Sequence, residues 1–100
     1  MQFVYESALK QYMLEKKKRN IVVEPIEVKN SDFDVTELHV YLVNDKQAKF
    51  FKTKKKYKGY QTDLGEVLLP NYRLKYEEIV VFGLKKFLFI RYVTYKGIRL

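Results

Sequence analysis

Apolar positions at the start of the chain recur at three- and four-residue spacing, at Tyr5, Leu9, Tyr12 and Met13. Lys10, Glu15 and Lys17 fall between them, the division of faces expected of an amphipathic helix over about 5–18. Glu6 in the first turn and Lys16-Lys17-Lys18-Arg19 in the last carry the signs favoured by the helix dipole, and Asn20 is the expected stop. Such a helix is about 20 Å long, enough to cover a small sheet.

Beyond Asn20 the pattern becomes that of strands. Residues 21–28 are rich in β-branched side chains, but Pro25 removes a ladder donor, so this strand is expected at an edge or with a bulge. Asn30-Ser31-Asp32-Phe33-Asp34 has turn chemistry. Residues 38–43 follow, with Leu38, Val40 and Leu42 on one face and His39, Tyr41 and Val43 on the other. A helical turn over about 46–52, with Asp45 as N-cap, is compatible with what comes next. A short strand is expected over 66–69 and a turn at Pro70-Asn71. The clearest strands are 78–82 and 87–93, whose continuous apolar runs predict burial on both faces. Gly83-Leu84-Lys85-Lys86 between them is expected as a hairpin loop or one helical turn, with a last short strand over 98–100. Neither repeat nor linker interrupts the pattern. The expectation is a single α+β domain over 1–100, its N-terminal helix packed on a β-rich sandwich or distorted barrel.

Composition supports a folded core: 47% of the 100 residues are hydrophobic and 16% aromatic, which argues against disorder. The absence of cysteine excludes disulfides, thiolate metal sites, thiolate-ligated clusters and cysteine nucleophiles. Ile79-Val80-Val81-Phe82 and Phe87-Leu88-Phe89-Ile90, the longest apolar stretches, fall far short of the roughly 20 residues of a membrane helix. No membrane partner is expected. Met1-Gln2-Phe3-Val4-Tyr5-Glu6 has no basic region leading into an apolar run, so no signal peptide and a cytoplasmic location are expected.

Charge changes the picture. The net +8 is uneven: residues 31–45 hold four acids and no lysine or arginine, whereas 46–60 hold seven lysines and no acid. Salt screens interactions beyond about 8 Å at physiological ionic strength, so this local density matters more than the total. If 52–58 is extended, Lys52, Lys54, Lys56 and Lys58 point to one side, spaced by about 6.7 Å. Phe51, Tyr57 and Tyr60 interleave as rings on which bases could stack. The candidate polyanion-binding residues are Lys49, Lys52, Lys54, Lys55, Lys56 and Lys58 with Tyr57 and Tyr60. Seven phosphate contacts imply a salt slope near −6, roughly. The competing reading is a solvated lysine face that guards an exposed edge strand. Lysine without arginine implies weak sequence specificity.

No catalytic constellation stands out, and an enzyme is not expected. Asp32, Asp34, Glu37 and His39 begin like a calcium loop, but Glu37 and Val43 stand where that loop needs glycine and glutamate. Ser7 and Ser31 lie outside any nucleophile-elbow pattern, and the four glycines are dispersed, with no phosphate cradle. No cofactor or metal is expected.

The order of elements resembles the HesB-like family, the A-type iron–sulphur carriers and their shorter relatives. The resemblance lies in Glu6-Ser7-Ala8-Leu9-Lys10-Gln11-Tyr12-Met13 running into the β segment 21–28, and in the closing stretch 84–98. It touches both ends, about half the chain, and implies a β-rich sandwich or distorted barrel flanked by the helix. Carriers of that family hold iron or clusters through cysteines, including a Cys-Gly-Cys near the C-terminus; this chain has no cysteine, and Lys96-Gly97-Ile98-Arg99-Leu100 offers no soft ligand. The resemblance thus implies a cysteine-free structural or protein-interaction domain. The residues themselves point instead to a non-catalytic module for an acidic partner, nucleic acid or an acidic protein surface.

Overall fold

The computed structural model describes residues 1–29, 32 and 34–100. The chain runs β1 (Gln2–Tyr5), α1 (Ser7–Lys16), β2 (Asn20–Lys29), β3 (Asp34–Val43), α2 (Asp45–Thr53), β4 (Lys58–Thr62), β5 (Gly65–Leu69), β6 (Lys75–Phe87) and β7 (Ile90–Arg99). It is an α+β fold with two mixed sheets, ordered β1-β6-β7 and β3-β2-β5-β4. β1 lies parallel to β6 and β2 parallel to β5; the remaining pairs are antiparallel.

Leu9 and Met13 of α1 pack with Ile21, Val23, Val67 and Phe82 in the main core. Phe82 is wholly buried, with the rings of Phe3 and Tyr5 each 6.0 Å away. A smaller cluster, Val22, Val43, Ala48, Phe51 and Leu68, joins α2 to the other face of β2 and β5. Alternation along β2 accounts for the division, since Ile21 and Val23 point one way and Val22 the other. Each such side chain, fully buried, contributes roughly 1.5–3 kcal/mol.

A strand precedes the helix, which is the first correction to the sequence reading. Tyr5 belongs to β1, Glu6 is the extended N-cap, and α1 ends at Lys17, left-handed at φ 55. The Lys17 and Lys18 N–H groups donate to Leu14 O and Met13 O, closing the helix, so Asn20 is not its stop. Asn20 instead opens β2 and is buried. Pro25 fits its strand because β5 pairs only with Ile21 and Val22, leaving β3 as the sole partner at that point. Asn30, Ser31 and Phe33 of the expected turn lie outside the described residues.

The last hairpin also departs from the expected pattern. Gly83-Leu84-Lys85-Lys86 is not a loop: β6 continues to Phe87, and Leu88-Phe89 makes the turn. Nor are the apolar runs buried on both faces, for Ile79 is exposed, as are Phe87, Leu88, Phe89 and Ile90. β1 ends opposite Phe82, and beyond it β6 is laddered to β7 alone. The expected strand over 98–100 is the end of β7.

Candidate polyanion interface

A helix, not an extended strip, carries the first half of the lysine segment. Asn44 Oδ1 accepts from the Gln47 backbone N–H at 2.8 Å, and Gln47 Oε1 accepts from the Asn44 N–H at 3.1 Å. This capping box starts α2 at Asn44, one residue before the expected cap Asp45. Ala48 and Phe51, three residues apart, are buried, which turns Lys46, Lys49, Phe50 and Thr53 outward at helical spacing. The cap and that apolar pair favour helix over the alternating strand.

The candidate residues consequently fall on three kinds of backbone. Lys49 and Lys52 lie on α2, Lys54 is its C-cap, Lys56 is left-handed at φ 60, and Lys58 opens β4. Lys52, Lys54, Lys56 and Lys58 therefore do not form one alternating row. Lys52 Nζ is 2.7 Å from Glu66 Oε1, and Lys55 Nζ is 3.0 Å from Glu24 Oε2. Among the described residues no carboxylate pairs with Lys46, Lys49, Lys54 or Lys56.

The rings are arranged differently from the expectation too. Phe51 is buried, Tyr57 packs on it at 5.0 Å, and Tyr60 meets Phe3 edge-on at 6.0 Å. Tyr57 and Tyr60 are half-buried packing residues, and Lys58 Nζ stands 5.2 Å from the Tyr60 ring. The open ring is Phe50, 50% exposed between Lys46 and Lys54 at four-residue spacing. Lys46 and Phe50 were missed as site residues. The signal that finds them is the burial of Ala48 and Phe51, which fixes the opposite helix face.

Compared with protein-family models, curated proteins and solved structures, the chain matches none.

Beside the lysines, Glu24 is a junction. Its carboxylate accepts from the Tyr41 hydroxyl at 2.6 Å and from Lys55. Burial alone would raise its pKa, but the Tyr41 and Lys55 hydrogen bonds and the Lys55 charge hold it below the ordinary value. Burial, then the nearby Glu24 charge, pushes the Tyr57 hydroxyl up to about 12. On the acidic stretch, Glu37 and His39 share the exposed face of β3, 3.2 Å apart, while Leu38, Val40 and Leu42 pack against the core.

Proposed function

We propose that this is a non-catalytic module that binds an acidic partner, nucleic acid, through the outer face of α2 and the residues that follow it. The observation that carries the reading is the set of exposed lysines Lys46, Lys49, Lys54 and Lys56, none of the four paired to a carboxylate among the described residues, with the exposed Phe50 ring between Lys46 and Lys54 on the outer face of α2. Lysine ammonium groups act on phosphates as point charges and read no base edges, so binding is sequence-tolerant. Lys52 and Lys55 are engaged by Glu66 and Glu24, which lowers the expected phosphate contacts from seven to about five. The salt slope becomes about −4.5, or roughly a 500-fold loss of affinity between ~50 and ~200 mM salt.

The test is a titration of labelled single-stranded and duplex DNA and RNA at several salt concentrations. Wild type binds at low salt with that slope, and joint replacement of Lys46, Lys49, Lys54 and Lys56 by Gln abolishes binding. No binding at ~50 mM salt, or binding indifferent to the four substitutions, refutes the proposal. A HesB-like interaction domain is the second reading, supported by a helix that runs directly into a long strand, α1 into β2. Under it, capture of a protein partner survives loss of the same lysines.

A further inference from the structure

The tip of the β6–β7 hairpin is apolar and uncovered. Phe87, Leu88, Phe89 and Ile90 are 67%, 73%, 97% and 67% exposed, and they are consecutive. A contiguous exposed apolar patch of this kind marks an interaction site. Leu88 also holds φ 57, a conformation in which a branched side chain is disfavoured and Gly or Asn is the usual turn residue. An exposed leucine in a left-handed turn serves neither the stability nor the solubility of the free molecule.

We infer that this tip docks onto an anionic lipid surface. From Gly83 to Phe87 the ribbon runs about 15 Å past the last residue paired with β1, so the tip stands away from the three-stranded part of its sheet. Behind the apolar residues stand cations. The ribbon from Gly83 to Thr94 contains no Asp or Glu but has Lys85, Lys86 and Arg91 within a few residues of the tip. Lys86 and Arg91 face each other across the ladder, one pair below Phe87 and Ile90. Arg91 stacks 4.4 Å from the Tyr12 ring and bonds Glu15 at 3.1 Å. Close behind the tip, Arg91 and Tyr92 line a cleft of about 350 Å³ together with Lys16 and Lys18.

Apolar residues at the point and cations behind them match the layering of a bilayer surface, hydrocarbon below and anionic headgroups above. The ladder closes at Phe87 and Ile90, so few unpaired backbone groups accompany the side chains into the interface. A second copy of this chain fits less well, because tip-to-tip contact brings Lys85 and Lys86 of both copies together. Docking needs no spanning segment, and among the described residues no helix is long and apolar enough to cross a membrane.

Vesicle sedimentation with the full chain tests the inference, using phosphatidylcholine alone and with about 30% phosphatidylserine. Lys85 and Lys86, the two cations behind the tip with no carboxylate partner among the described residues, imply roughly 30-fold tighter binding to the anionic vesicles. The double variant Leu88→Gly, Phe89→Ser loses at least tenfold in binding while its melting temperature stays equal or rises, since the turn strain is removed. The chain has no Trp, so Phe89→Trp gives a single reporter whose emission shifts to the blue on anionic vesicles. The variant lacking Lys46, Lys49, Lys54 and Lys56 keeps vesicle binding, which separates this surface from the polyanion face. Failure of wild type to bind anionic vesicles, undiminished binding by the tip variant, or unshifted emission from the Phe89→Trp reporter overturns it. So does a concentration-dependent dimer that the tip variant dissolves and that binds no vesicles.

Discussion

Asn20 illustrates how much one buried polar side chain can organise. Its Nδ2 donates to Asp45 Oδ1 at 2.9 Å and to Val43 O at 3.5 Å, and its Oδ1 accepts from the Glu66 N–H at 3.1 Å. The end of β3, the first turn of α2 and the start of β5 are thereby tied to one residue of β2. Asn20→Ala strands the Glu66 N–H and loses about 1–3 kcal/mol, read as a lower urea midpoint at unchanged slope. The sequence disguised this role, because asparagine after a helical pattern is an ordinary stop signal. A lysine in the left-handed cap position gives no such signal. Leu88 misled in the same way: Gly83 has the residue type of a turn, yet the chain reverses at Leu88-Phe89.

At the scale of elements, helix α1 was legible because Leu9 and Met13 repeat at four residues and both are buried. Its end carries a testable penalty. Lys17 at φ 55 bears a β-carbon where glycine has none, so Lys17→Gly stabilises the protein by about 0.5–1 kcal/mol. Thermal melting should rise by several degrees. β1 was not legible, for Tyr5 continues the Leu9–Met13 spacing and a four-residue strand adds little pattern of its own. What makes β1 a strand is its distant partner, Ile79 to Phe82, which local sequence does not announce. α2 was half-legible: Asn44 and Gln47 spell a capping box, but the lysines around them suit a strand edge equally well.

Over the whole molecule, the excess of lysine was visible and its geometry was not. Which ammonium groups stay available depends on Glu24 and Glu66, carboxylates far away in sequence that reach Lys55 and Lys52. The Glu24 junction joins β2, β3 and the segment after α2, so it reports on global stability. Its folded pKa lies below the ordinary 4.5, so the folded state binds that proton less tightly than the unfolded chain does. The contribution is present above about pH 4.5 and is lost as pH falls through the folded value. Glu24→Gln is thus less stable than wild type by about 1–2 kcal/mol at pH 7, and the gap in denaturant unfolding closes in acid. A gap constant from pH 7 to pH 3 would show that the carboxylate's charge is irrelevant.

The parallel pairing of β1 with β6 and of β2 with β5 sets an order on biosynthesis. A ribosome delivers Gln2 long before Ile79 and Ile21 long before Val67, so both early strands emerge with an edge waiting for a partner. The β2–β3 ladder can close early, whereas the sheet that holds β1 is completed only after β6 has left the exit tunnel. During that interval Phe3 and Tyr5 lack the Phe82 ring that later buries them, and the nascent chain is at its most dependent on chaperones.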